Sequence, residues 1–262
     1  MVAPDIPNLG NIFHRYFEVV PALSDPLKDE VYRLRHNVYC EDLEFEPLRS
    51  NKRETDEYDS HSIHFLVRNI QTDEFAGCAR IVLTRPEDPH KPFPFETICA
   101  TTLDRAIIDP RKLARYRIAE VSRLAVTARY RRRKGETKKA LSISEEDFGT
   151  SELPRFPYIP VSLYLSTFEL ARLNGIDLIF VLTEERLAKH FTKLGFDIQY
   201  IGSPVEHHGT RIPSMMGVDA TIRNLRANLL PLYHTIAADI EKAVRLSSGA
   251  SHSAASRCLQ GE

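Results

Sequence analysis

No run of eighteen apolar residues occurs anywhere in this 262-residue chain, so the sequence predicts no membrane-spanning helix and no stable membrane anchor. Its first thirty residues carry Asp5, Glu18 and Asp25, which break the apolar core that a secretory leader needs. Cysteine is scarce. Cys40, Cys78, Cys99 and Cys258 lie far apart with no CxxC pair, a pattern that fits reduced thiols better than a disulfide framework or zinc knuckle. Net charge is nearly absent as well, with 35 basic against 36 acidic side chains. No global field therefore points to nucleic acid or an anionic membrane, and any basic partner site must be local. No internal repeat is present. With 42% hydrophobic and 27% charged residues, the composition is that of a globular protein with a sizeable core, expected to be cytoplasmic.

The periodicities predict alternating helices and strands. Asp25-Pro26 reads as a helix N-cap followed by proline in the first turn, and Leu27, Val31, Leu34 and Val38 then recur at helical spacing to about Cys40. A polar, acidic stretch from Glu41 to His61 reads as a loop or lid. Strands are expected over 63–68 and 75–84, joined by turn residues as a hairpin that ends in the proline-rich run 86–94. A third strand is expected over 117–126, where alternation places Glu120, Ser122, Leu124 and Val126 on one face and Val121, Arg123 and Ala125 on the other. Residues 131–158 are polar and charged and read as an exposed insertion. Val161, Leu165 and Phe168 mark an amphipathic helix closing near Asn174-Gly175. A buried strand over 177–182, a short helix bearing Leu187, Phe191 and Leu194, and a strand over 196–201 follow. The segment 222–246 reads as a helix that Pro231 should kink. Domain bounds are set at 21–246, with 1–20 an N-terminal extension and 247–262 a disordered tail.

Three charged stretches stand beside the predicted strands: Glu54-Thr55-Asp56-Glu57-Tyr58-Asp59, Gly77-Cys78-Ala79-Arg80 and Glu120-Val121-Ser122-Arg123. Carboxylates and guanidinium groups set among apolar strands are expensive to desolvate unless they pair, so they imply either one structural ion network or one reaction site. On the first reading Arg80 and Arg123 only pin the acidic loop to the sheet, and Ser122 is a satisfied core hydroxyl. On the second, all of them share a pocket.

In order and local spacing these stretches resemble those of the acyl-homoserine-lactone autoinducer synthases and their relatives, the N-acyl amino acid synthases and the acyltransferases of PEP-CTERM/exosortase systems. The resemblance implies an α/β fold of GNAT-like acyl-CoA N-acyltransferase type, a mixed twisted β-sheet flanked by helices. It also implies transfer of a fatty acyl group from a thioester carrier to an amine. Such a reaction needs an uncharged amine, because an ammonium has no lone pair, and Glu120 is the best candidate for general base. Asp56 and Asp59 can hold the ammonium beforehand. Arg80 and Arg123 can orient these carboxylates or clamp an acceptor carboxylate bidentately, and Ser122 can hydrogen-bond the thioester or leaving thiol. The family's arginine-then-aromatic helix motif is met by Arg35 and Tyr39, and Glu54 falls within the same cluster. Autoinducer synthases carry a tryptophan soon after that motif. This chain has none, which favours the N-acyl amino acid synthase and exosortase-associated branch over lactone formation.

After the third strand comes Arg129-Tyr130-Arg131-Arg132-Arg133-Lys134-Gly135, where GNAT enzymes carry an Arg/Gln-x-x-Gly-x-Gly/Ala loop for pyrophosphate. Arg132 and Gly135 fit that pattern and Thr137 does not. The cationic cluster of Arg129, Arg131, Arg132, Arg133 and Lys134 suits an acidic acyl carrier protein with its single phosphopantetheine phosphate, as the resemblance implies, while a solvated basic turn is the alternative. No tightly bound cofactor is expected beyond an acyl-phosphopantetheine donor, on carrier protein or on coenzyme A. His61, His64, His207 and His208 match no tight ligand spacing, so no metal is expected, and His207-His208 reads as a solvent-facing pair. Phe65, Phe168, Phe180 and Phe191 lie at core phases, equally consistent with packing or an acyl tunnel. The expected function is transfer of a fatty acyl group from an acyl carrier protein thioester to the amine of an amino acid or similar small acceptor. A coenzyme A dependent acetyltransferase and a non-catalytic acyl-ligand binding domain are the alternatives.

Overall fold

Asn8 begins the fold by accepting the backbone N–H groups of Gly10 and Asn11 at 3.0 and 3.2 Å, capping helix α1 (Leu9–Tyr16). The structure is a computed structural model that describes residues 8–131 and 156–258, with side chains described through Ser247. Helix α1 leads into strand β1 (Phe17–Pro21), which pairs antiparallel with β2 (Ser62–Asn69). Residues 8–20 are thus integral to the domain rather than an extension outside it, because Phe13 and Val19 are buried in the core. Between these strands runs α2 (Asp25–Arg35), capped at Ser24, one residue before the expected position. Beyond Arg35 the chain widens into a π-helical stretch, His36–Asp42.

Strand β3 (Glu74–Val82) pairs antiparallel with β2 and with β4 (Ile118–Val126), which follows the short helix α3 (Pro94–Ile98). Helix α4 (Ala128–Arg131) closes this half. Of the polar insertion expected over 131–158 only the two ends are described, and Arg132, Arg133, Lys134 and Gly135 lie outside the described residues. Helix α5 (Tyr158–Leu173) then crosses to β5 (Leu178–Thr183), the one parallel neighbour of β4. Helix α6 (Glu185–Lys193) ends at Gly195, whose φ of 100° suits glycine; a Cβ there would stand 2.5 Å from the Asn224 carbonyl oxygen. Strands β6 (Gln199–Tyr200), β7 (Val205–Glu206) and β8 (Thr210–Gly217) follow, then helices α7 (Val218–Asn224) and α8 (Leu230–Cys258). The sheet order is β1-β2-β3-β4-β5-β8-β6, with β7 paired to β8.

Three expectations are corrected here. Helix α5 is not amphipathic: every residue from Ile159 to Ala171 is buried, since the helix lies between the sheet and α8. Its serine and threonine hydroxyls are satisfied within the helix, Ser162 on the Ile159 carbonyl, Ser166 on that of Ser162 and Thr167 on that of Leu163. Pro231 starts α8 instead of kinking a longer helix, and a separate α7 precedes it. Helical backbone runs past Ser247 to Cys258, where a disordered tail was expected. Among the described residues no helix is long and apolar enough to cross a membrane. Cys40, Cys78 and Cys99 are free and buried.

Candidate active site

The register between β3 and β4 builds the site. Arg80 faces Ser122 and Cys78 faces Ala125, so the single residue Ala79 stands opposite two, Arg123 and Leu124. This β-bulge is completed by Arg123 at φ 52°, in the left-handed region that non-glycine residues seldom occupy. The extra residue reverses the phase of the strand. Ala119, Val121 and Val126 join the core beneath α5, with Leu124 packed against it, whereas Ala125 joins the core beneath α2. The expected alternation therefore fails beyond Ser122, and Arg123 projects toward Glu54 and Asp56 on the side where Arg80 holds Ser122. Beyond the bulge β4 also parts from β5. The two strands pair only from Ile118 to Val121 and from Leu178 to Val181, leaving a splay between their C-terminal halves.

The expected cluster converges beside this splay. Arg35, with no exposed surface, donates from Nε to Glu54 at 2.5 Å and from Nη1 and Nη2 to Asp59 at 2.6 and 3.2 Å. Arg80 bridges Asp56 and Asp59 from Nη1 at 2.5 and 2.8 Å and donates from Nε to Ser122 Oγ at 3.2 Å. Arg123 reaches Glu54 at 3.2 Å and both Asp56 and Glu46 at 3.4 Å. Burial works against the charge on each carboxylate, yet these arginines hold Glu54, Asp56 and Asp59 below the usual carboxylate range. His64 lies under Asp59, 3.7 Å from its carboxylate, and burial lowers its imidazole to about 4.

Glu120 stands apart. It is buried, accepts the backbone N–H of Phe95 at 2.8 Å, and pairs with no cation among the described residues. Burial pushes its carboxyl up to about 8, only partly offset by the Phe95 N–H and by the charges of Arg80 and Arg123. A group in that range can exchange a proton near neutral pH.

A cleft of about 330 Å³ opens onto Glu120, and Asp56, Arg80, Ser122, Arg123 and Tyr39 also line it. Arg35, Glu54 and Asp59 do not line it; they sit behind it as the support of the first group. Tyr39, on the π-helical stretch, donates its hydroxyl to the Leu124 carbonyl at 2.9 Å, fastening that stretch to the bulge. The cleft is also lined by residues to which the sequence reading gave no part in the site, among them Phe45, Tyr58, Tyr164, Glu184, Arg211 and the pair His207-His208. His207-His208 was read as solvent-facing; adjacency to a two-residue strand gave no signal that its hairpin folds back over the splay. Phe65, Phe168, Phe180 and Phe191 are core packing and none lines the cleft. Of the cationic run, Arg129 pairs with Glu74, and Arg131, almost fully buried, pairs with Asp42 at the end of the π-helical stretch. Arg131 thus ties two elements together.

Residues 34–139 match the family model of the acetyltransferase (GNAT) domain. The fold is the GNAT fold. TofI, solved in a ternary complex with an inhibitor and MTA, is similar over 83% of this chain and 96% of its own at 20% identity and TM-score 0.53. BjaI, a coenzyme A dependent acyl-homoserine lactone synthase solved with SAM and isopentyl-CoA, is similar over 84% and 87% at 17% identity and TM-score 0.51. FeeM, an N-acyl amino acid synthase from uncultured soil microbes, is similar over 80% and 94% at 15% identity and TM-score 0.51. A search of curated proteins finds no significant match. The GNAT domain match spans all three charged stretches and the π-helical turn, so one wall of the cleft falls within it, while the wall carrying Tyr164, Glu184, His207, His208 and Arg211 lies beyond the matched residues.

Proposed function

We propose that the protein is an N-acyltransferase that moves a fatty acyl group from a phosphopantetheine thioester to the amine of an amino acid or similar small acceptor in the cytoplasm. The observation that carries this reading is Glu120: a buried carboxyl raised to about 8, outside the arginine network yet lining the same cleft as Asp56, Arg80 and Ser122. Asp56, whose side chain is 24% exposed, faces the cleft and holds the incoming ammonium. Glu120 takes a proton from that ammonium, the freed nitrogen attacks the thioester carbonyl, and the C–S bond breaks with its electron pair leaving on sulfur. The nitrogen, positively charged after attack, gives its second proton to the departing thiolate, and Glu120 releases the first to water in the cleft, restoring the carboxylate. Ser122, held by Arg80, lies beside the reacting carbonyl. The donor is acyl carrier protein or coenzyme A, which share this chemistry. The carrier surface assigned to Arg129 and Arg131 is weakened by their ion pairs with Glu74 and Asp42, which leaves Arg132, Arg133 and Lys134 as its support. The lack of tryptophan favours an N-acyl amino acid product over a lactone, as in the exosortase-associated branch.

Mass spectrometry of lipid extracts from cells producing the protein is the test. A new N-acyl amine supports transfer, whereas an acyl-ligand binder yields none. Thermal shift with long-chain acyl carrier protein and with acetyl-CoA separates the donors, because only the true donor stabilises the fold by mass action.

A further inference from the structure

The His207-His208 pair sits at the tip of the hairpin joining β7 to β8, where the His207 N–H closes the turn on the Gly209 carbonyl and His208 takes a φ of 51°. Arg211 braces that tip from β8, donating from Nε to the His207 carbonyl at 3.0 Å and from Nη2 to that of His208 at 3.5 Å. Across the cleft, Phe45 is fixed by its N–H to the Tyr39 carbonyl at 2.8 Å. Its ring stacks on His208 with centroids 4.7 Å apart and planes 14° from parallel. His208 Nε2 also lies 3.9 Å from Glu46, which itself reaches Arg123.

The hairpin belongs to the β5 side of the splay, through β8, and Phe45 belongs to the β4 side, through Tyr39 and Leu124. The stack therefore spans the cleft from one wall to the other. An acyl-pantetheine arm is long, unbranched and about as thick as one alkyl chain, so lying between the parted strands with its thioester at Glu120 requires space that a closed ring pair obstructs. One stacked ring pair is worth about 0.5–1.5 kcal/mol, weak enough for a bound donor to separate it.

We propose that Phe45 and His208 form a gate across the β4/β5 splay that must part to admit the acyl-pantetheine arm of the donor. This rests on the acyltransfer reading above. The two outer elements carry the gate and the rigid bulge beneath it carries the chemistry.

The test locks the gate reversibly. The double variant Phe45→Cys/His208→Cys, in a background carrying Cys258→Ser, is oxidised with copper–phenanthroline, and thiol loss is measured by titration. Binding of decanoyl-pantetheine is then followed by thermal shift in the oxidised, reduced and wild-type proteins. The gate predicts that decanoyl-pantetheine binds at least tenfold more weakly when the disulfide closes it, that reductant restores binding, and that Phe45→Ala, which removes one ring of the stack, associates with decanoyl-pantetheine about two- to tenfold faster than wild type. Equal binding in the oxidised and reduced forms, or unchanged association in Phe45→Ala, overturns the gate and leaves acyl transfer standing. Absence of binding even to the wild type overturns both.

Discussion

Phe95 donates its backbone N–H to Glu120 at 2.8 Å, and among the described residues that is the whole of the carboxylate's polar company. Three arginines lie nearby, and all three spend their donors on Glu54, Asp56, Asp59, Glu46 and the Ser122 hydroxyl. The same cluster thus holds two electrostatic regimes, carboxylates fixed as anions and one carboxyl left free to titrate.

Glu120→Gln should raise stability in a pH-dependent way. Glu120 has a raised value in the folded state, about 8 against an ordinary 4.5, so folding favours its protonated form. That contribution is complete below about pH 4.5 and is lost as pH rises through 8. Wild type and Gln variant should therefore melt together at pH 4.5 and diverge toward pH 9, with the variant higher by about 2–4 °C for each kcal/mol involved. Melting curves across that range check it.

Arg35→Ala should be among the most damaging single changes. It leaves Glu54 and Asp59 buried without their main partner, a defect worth about 3–5 kcal/mol. Arg35→Lys should recover little, because a single ammonium cannot reproduce the fork that binds Asp59 through two nitrogens. Urea unfolding of the three proteins measures the difference.

Acid should loosen the lid before the rest. Glu54, Asp56 and Asp59 have lowered values in the folded state, so their stabilisation is present above the ordinary carboxylate range and disappears as pH falls through their folded values. Hydrogen exchange below pH 4 should show residues 54–61 opening ahead of α5 and α8.

Asp42→Ala should release Arg131, which is almost fully buried against it. Removing one partner of such a pair costs about 3–5 kcal/mol, and turnover per folded molecule should change little, since neither residue lines the cleft. Loss of turnover out of proportion to loss of fold would instead give Arg131 a part in donor binding.

Much of this was legible in the sequence. The strands at 62–69, 74–82 and 118–126 follow alternation and turn chemistry, the cost of burying unpaired charge argued for bringing the stretches with Glu54, Asp56, Asp59, Arg80 and Arg123 to one place, and Arg35 joined them only through the family resemblance. Three things were not legible. The bulge at Arg123 requires a left-handed residue that nothing in Glu-Val-Ser-Arg announces, and it overturned the face assignment downstream. The full burial of α5 depends on α8 folding back over it, a long-range pairing that local periodicity does not encode. The hairpin carrying His207 and His208 has strands of only two residues on the β7 side, too short for a pattern, so its position over the cleft came only from the fold.

The most direct measurement is the pH dependence of single-turnover acyl transfer by wild type and Glu120→Gln, with long-chain acyl carrier protein or acyl-CoA as donor and an amino acid pool as acceptor. The account predicts a wild-type rate that climbs about tenfold per pH unit below 8 and levels above it, as the carboxyl at about 8 becomes the base, with turnover abolished in a folded Gln variant. Equal rates in the two proteins, with the same pH profile, would contradict it.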